Sequence, residues 1–273
     1  MDPAEVRHRI YGVDFSGSKT ACKKIWISEA LIQGEGVRIL RTFPIEDITE
    51  GRKKDRDTCL KALRELISGS EKSVFGMDFP FSVPQNLLFT KNWESFVSGF
   101  ADRYPSPESF RNQMRTSTQN KELKRLTDSE VKAPFCVYNL RLYRQTYYGI
   151  RDVLGPLLEE KSACMIPMHR PVEDKPWLME ICPASTLKRE GLYIPYKGKS
   201  PEKKRAREYI LAEMQERGIT MEARIRKLII GNTDGDALDS MIAAFATSRA
   251  IPGLENTLKT LRPIYLLEGY TFF

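Results

Sequence analysis

Histidine is almost missing from this chain: His8 and His169 are the only two among 273 residues. That scarcity nearly excludes a zinc site of the Cys/His type. Neither histidine stands near a serine-elbow pattern, so a Ser-His hydrolase finds no support. Cysteine is sparse as well. Cys22, Cys59, Cys136, Cys164 and Cys182 show no CxxC spacing, and an odd one remains in any disulfide scheme. Reduced thiols and a cytoplasmic location are therefore expected. No apolar run approaches the roughly 20 residues of a membrane-spanning helix. The polar start, residues 1–9, lacks the apolar stretch of a signal peptide. No membrane association is expected. Internal repeats and low-complexity tracts are absent too.

What remains is an ordinary globular composition, with 41% hydrophobic and 29% charged residues. The length suits one large α/β domain or two modest ones, and residues 1–273 read as one. Lys plus Arg number 43 against 36 acids, a net charge of +7. This balance suits a polyanionic partner such as nucleic acid, and equally a protein that merely stays soluble.

The order of patterns predicts an α/β fold that starts with an antiparallel portion. Residues 10–14 form a short apolar run closing on Asp14, and residues 21–30 and 37–43 flank a Gly34-Glu35-Gly36 turn. Residues 57–67 read as a helix with Leu60, Leu63 and Ile67 on one face, and residues 72–78 as a strand closing on Asp78. Residues 81–135 combine prolines with Trp93, Phe96, Phe100 and Phe110, which predicts an inserted helical cap. Residues 139–160 predict a long helix interrupted near Gly155-Pro156. Strands are expected at 165–168 and 177–181, a mobile surface loop at 191–201, and a charged helix at 202–217. A last helix should run from near Asp234 to Ala250, and a closing hairpin should turn around Gly269.

Several acids end apolar elements. Asp14 and Asp78 each close a strand, with Gly12 and Gly76 two residues earlier. A carboxylate at a strand end faces the sheet edge where ligands bind, or it caps a turn. Glu180 interrupts the apolar run 177–182, where an unpaired charge is costly. It reads as a ligand for a cation, or as one half of a buried salt bridge to Arg141, Arg144 or a lysine. Asp236 and Asp239 are three apart ahead of a wholly apolar stretch, so both share one face at a helix start. Asp234 reads as the N-cap or as a complement to the helix dipole, and all three acids read equally as first-turn capping residues. If such acids meet, their repulsion calls for a divalent cation, and Mg²⁺ or Mn²⁺ prefers such oxygen ligands.

The ordered set Gly12-Val13-Asp14, Met77-Asp78-Phe79-Pro80-Phe81-Ser82-Val83-Pro84, Glu180-Ile181-Cys182-Pro183, Gly235-Asp236-Ala237-Leu238-Asp239-Ser240 and Glu268-Gly269-Tyr270 spans residues 10–273. It resembles the family called domain of unknown function 429, described as predicted nucleases of the ribonuclease H-like superfamily. The resemblance implies a mixed five-stranded sheet flanked by helices, with a largely helical insertion after the fourth strand. It implies metal-dependent hydrolysis of phosphodiester bonds in DNA or RNA. Asp14, Asp78, Asp236 and Asp239 would hold one or two Mg²⁺ or Mn²⁺ ions, and Glu180 would assist coordination or proton transfer.

Arg141, Arg144 and Tyr148 are expected along one helix face as phosphate clamps and a stacking ring, although an amphipathic core helix explains them as well. Lys197 and Lys199 belong to the densest basic run, suited to a phosphate backbone or to plain solvation. Two alternatives stand beside the nuclease. A non-catalytic nucleic-acid-binding or scaffolding protein could retain the fold. An actin/hexokinase-like ATPase or phosphotransferase is suggested by Asp14-Phe15-Ser16-Gly17-Ser18-Lys19, which distantly resembles a phosphate-1 turn, with Ser16, Ser18 and Lys19 toward phosphate. No second phosphate loop accompanies it.

Overall fold

Short apolar runs that close on an acid become the centre of the sheet. The computed structural model describes residues 9–49, 51 and 53–273. His8 lies outside the described residues. The chain begins with β1 (Arg9–Asp14), α1 (Ala21–Lys24), β2 (Trp26–Gln33), β3 (Gly36–Pro44), α2 (Arg56–Ser68) and β4 (Val74–Met77). A helical stretch follows: α3 (Trp93–Ser98), α4 (Phe100–Arg103), α5 (Pro107–Ser117), α6 (Leu126–Glu130), α7 (Tyr143–Gly149) and α8 (Gly155–Glu159). Then come β5 (Cys164–Ile166), β6 (Trp177–Ile181), α9 (Pro183–Arg189), α10 (Pro201–Glu216), β7 (Ile219–Met221) and α11 (Ala223–Gly231). The chain closes with α12 (Asp236–Ala250), α13 (Leu254–Thr260), α14 (Tyr265–Glu268) and β8 (Thr271–Phe272).

The strands form one mixed eight-stranded sheet in the order β5-β6-β4-β1-β2-β3-β7, with β8 added on β6. β2 runs antiparallel to β1 and β3, and every other pairing is parallel. The expected five strands are thus exceeded, by short pieces: β5 and β7 have three residues and β8 has two.

Alternation along the strands divides the core between the two faces. Tyr11, Val13, Phe75, Met77 and Leu178 pack with α2 and the helices between β4 and β5. Ile10, Val74, Trp177, Met179 and Ile181 pack with α9 to α12. α12 lies directly on β1 and β4 because Gly12 and Gly76 leave room. A Cβ on Gly12 would sit 2.0 Å from the Ser240 carbonyl oxygen, and one on Gly76 2.0 Å from Thr247 Oγ1. The two glycines therefore admit a helix.

Four local expectations are corrected. Residues 21–24 form a helical turn ahead of β2, not the start of a strand. The closing hairpin is absent: Tyr265–Glu268 is helical, and β8 pairs parallel to β6. The break in the 139–160 helix is a π-helical turn, Ile150–Leu154, lying before Pro156. Pro156 has no N–H for the carbonyl four residues back, Asp152, and Arg64 donates to that oxygen instead at 2.5 Å. Finally, Cys136, Cys164 and Cys182 stand outside any disulfide, whereas Cys22 and Cys59 are joined by one between α1 and α2. Their Cα atoms, 37 positions apart in sequence, stand at 5.4 Å, a separation that suits a disulfide. Among the described residues no helix is long and apolar enough to cross a membrane.

Candidate acidic site

Strand parity brings the acids together. Asp14 lies two residues beyond Gly12 on β1, and Asp78 two residues beyond Gly76 at the end of β4, so each acid shares the face of its glycine. That face is covered by α12. β1 and β4 are adjacent and parallel, with Gly12 opposite Gly76 and the Asp78 N–H donating to the Val13 carbonyl at 2.9 Å. The two carboxylates therefore emerge side by side beneath the first turn of α12.

That turn supplies the other two. Gly235 takes a left-handed φ of 85° and starts the helix at Asp236, with the Asp239 N–H donating to the Gly235 carbonyl at 2.9 Å. A side chain there would be strained and would also meet the Tyr196 ring, 2.9 Å from an added Cβ. Asp236 and Asp239 point inward, as their three-residue spacing predicts. Asp234, a candidate N-cap, is exposed and instead accepts from Lys24 Nζ at 2.6 Å. Lys24 also reaches Asp236 at 3.4 Å.

Asp14, Asp236 and Asp239 are buried and Asp78 is half-buried. Burial pushes the Asp14 carboxyl well above the carboxylate range, and the charges of Asp239, Asp78 and Asp236 add to the rise against Lys197. Asp78 is raised to about 8 by burial and then by Asp239. Burial raises Asp236 too, against the lowering influence of Lys24 and Lys197. These are acids held together at an electrostatic cost.

A loop unresolved in role by the sequence covers them. Both oxygens of Asp239 are taken by consecutive residues of the segment between α9 and α10: the Tyr196 hydroxyl donates to Oδ1, and Lys197 Nζ lies 2.6 Å from Oδ2. Burial lowers the Lys197 pKa, but Asp239 and Asp14 more than offset it and the ammonium is held above its ordinary value. Lys197 is thus the main counterion of the cluster. The loop is fixed from behind by Arg207, whose buried guanidinium donates to the carbonyls of Ile230, Tyr196 and Gly198. Arg207 belonged to the basic run read as a surface feature. Its place on the apolar stripe of α10 is three residues before Ile210, the only hint of burial the sequence offered.

Of its two readings, Glu180 takes the buried salt bridge. On β6 it alternates with Trp177, Met179 and Ile181, which face α12, so its carboxylate leaves the sheet on the opposite side. There Arg125 Nη2 donates to Oε1 at 2.5 Å and Nη1 to Oε2 at 2.8 Å. Thr271 Oγ1 at 2.8 Å and the Phe81 N–H at 2.9 Å complete its acceptors. Asp128 shares the same guanidinium at 2.6 Å. Glu180 is one half of a buried salt bridge, with Arg125 in place of the candidates Arg141 and Arg144, and it has no acceptor position left for a cation or a proton in transit.

The expected substrate residues are scattered. Arg141 lines a cavity of about 560 Å³ together with Asp78, Asp239 and Lys197. Arg144 is exposed and paired to Glu108 at 2.8 Å. Tyr148 is buried beneath the Arg56 guanidinium, 3.6 Å from its ring centroid, and offers no stacking face. Arg141 precedes α7, so the three do not share a helix face. Ser16 and Ser18 shape their own turn, the Ser18 N–H donating to Ser16 Oγ at 3.3 Å, while Lys19 and Lys199 are exposed. The cavity thiol of Cys182 is pushed up to about 12 by burial and then by Asp78, which leaves it protonated.

Among the described residues no group of three or more His, Cys, Asp or Glu side chains is gathered as a ready metal site. The donor chemistry nonetheless suits a hard divalent cation: four carboxylates from three elements, with two lysines as their counterions. Comparison of the chain with protein families, curated proteins and solved structures finds no match.

Proposed function

We propose that this protein is a metal-dependent nuclease with a ribonuclease H-like core, hydrolysing phosphodiester bonds of DNA or RNA. One observation carries the reading: Asp14, Asp78, Asp236 and Asp239 converge from two adjacent parallel strands and a helix start, three of them buried and Asp78 half-buried, and their charges repel. Clustering acids at this cost calls for a cation. The strand order β3-β2-β1-β4-β6, with β2 alone antiparallel, supports the ribonuclease H-like part of the reading. The net charge of +7 favours a polyanionic substrate.

The four aspartates would hold one or two Mg²⁺ or Mn²⁺ ions. Such an ion supplies a water of lowered pKa and a counter-charge for the leaving oxygen. The chain's own residues do the rest. Asp14 and Asp78, fixed on the sheet, orient the site, while Asp236 and Asp239 supply the charge from the helix side. Lys197, half-exposed with its ammonium on Asp239, is placed to exchange that partner for a phosphate oxygen. Glu180 stays outside the reaction and holds Arg125, Phe81 and β8 around the site.

The test is calorimetric titration of the metal-free protein with Mn²⁺ beside Asp14→Asn/Asp236→Asn. Saturable binding in the wild type, lost in the folded variant together with Mn²⁺-dependent cleavage of labelled DNA or RNA, is the expected result. Equal binding by both proteins would refute the site. The pairing of Lys24 and Lys197 with the acids favours one second reading, a nucleic-acid-binding protein that uses the lysines as permanent counterions. Tight, salt-sensitive binding of nucleic acid without turnover would mark it.

A further inference from the structure

We propose that the cavity beside the acids takes one unpaired nucleotide, so that the strand enters as a single strand or a frayed end and not as a duplex. This deepens the nuclease reading, in that Asp78 and Asp239 of the acidic site line the cavity, but the binding claim stands on its other lining residues.

The cavity holds about 560 Å³, within the roughly 300–1,000 Å³ of small-molecule sites. That is room for one nucleotide unit, not for a double helix. Asp78 and Asp239 line the cavity together with Arg125 and its acid partners Asp128 and Glu180, residues of the segment 133–142, and the loop 193–197. Asp14 and Asp239 are only 8% and 4% exposed. A duplex, whose major groove alone is about 12 Å wide, is too broad to enter a cavity of this volume. A single strand can bend a phosphate inward.

The walls have the chemistry of one nucleotide. Arg141 is exposed, lines the cavity and forms no ion pair among the described residues. Its guanidinium lies 5.4 Å from the Phe135 ring centroid, which restricts it while leaving its N–H groups for a phosphate. Tyr193, which also lines the cavity, is 50% exposed. A ring so open at a cavity edge is a stacking surface for a base. Lys188 Nζ stands over one face of the ring, 4.9 Å from its centroid, so a base would stack on the other. Arg141 and Lys197 would therefore hold the phosphate, and Tyr193 the base.

The test is fluorescence anisotropy in Ca²⁺ with fluorescein-labelled single-stranded DNA and RNA decamers and a blunt duplex of the same sequence. Each is titrated with the wild type, Arg141→Ala and Tyr193→Ala. A single strand should bind at least about tenfold tighter than the duplex, and each variant should lose about tenfold, the size expected of one lost stack or phosphate clamp. Both residues are exposed, and unchanged melting temperatures will show that the variants fold. Equal or tighter duplex binding, variants that bind like wild type, or no binding at all would each overturn the proposal. Cleavage assayed in parallel with Mn²⁺ separates the two ideas. Binding through Tyr193 and Arg141 without cleavage leaves this proposal standing and removes the nuclease, whereas cleavage of duplex alone does the reverse.

Discussion

Each oxygen of Glu180 accepts two hydrogen bonds, and together they fix Arg125, Phe81 and Thr271 in one buried knot. Removing the carboxylate strands a guanidinium that is 1% exposed, with Asp128 as its remaining acid partner. Glu180→Ala should therefore destabilise the protein by about 3–5 kcal/mol, the cost of breaking a buried pair. Urea unfolding measures this. Native-like stability combined with loss of Mn²⁺ binding would return Glu180 to the catalytic set. Lys197 presents the opposite case, a surface residue whose charged end works inward on Asp239. Residue type announced both charges, but only their neighbours decide which one is structural and which is poised at the site.

The relation between a helix and the strands below it decides whether the site exists. α12 brings Asp236 and Asp239 over Asp14 and Asp78 only because Gly12 and Gly76 let its backbone touch the sheet. Gly12→Ala places a Cβ 2.0 Å from the Ser240 carbonyl oxygen and 2.2 Å from the Ala244 nitrogen, both backbone atoms that cannot rotate away. The helix must lift, losing among other contacts the 2.8 Å hydrogen bond between Ser28 and Ser240. A destabilisation of about 3 kcal/mol, the upper part of the overpacking range, is expected. Mn²⁺ affinity should fall with it as the two acid pairs separate. Urea unfolding and calorimetry read the two effects, and a variant unchanged in both would show that α12 is not seated on β1. The Gly-x-Asp spacing on both strands was legible in the sequence. Its purpose was not, because spacing gives parity but not the element that covers a face.

Across the whole molecule the acidic site should appear as a pH dependence of stability. Asp78 titrates near 8 when folded, raised by burial and Asp239, against an ordinary value of 3.8. Asp14 and Asp236 are raised in the same direction. A carboxyl raised on folding binds its proton more tightly in the native state, so its stabilising contribution is complete below about pH 4 and is lost as pH rises through 8. In EDTA, the melting temperature of Asp78→Asn relative to wild type should therefore climb from pH 5 to pH 8. Mn²⁺ added to the wild type should recover part of the loss at pH 8. A difference that stays flat or falls with pH would contradict the buried, repelling cluster. The disulfide between Cys22 and Cys59 joins the two helices beside the Asp14 loop, a link that an odd cysteine count argued against. Counting cannot detect one pair among five thiols, whereas a fold that sets two Cα atoms 5.4 Å apart can make it.

The sequence by itself determined the α/β class, the strands that end on Asp14 and Asp78, and the shared helix face of Asp236 and Asp239. Those properties follow from local periodicity, which a chain carries wherever it goes. It also marked Glu180 as a charge needing a partner. Tertiary structure alone decided that the partner is Arg125, 55 positions away, that Tyr196 and Lys197 close over Asp239, and that Tyr148 lies in the core. The same is true of β7, a three-residue strand that takes its conformation from the hydrogen bonds of β3, and of the pairing of β8 with β6. These are encounters between distant segments, set by how two apolar faces of one sheet are covered, and no spacing within a segment encodes them.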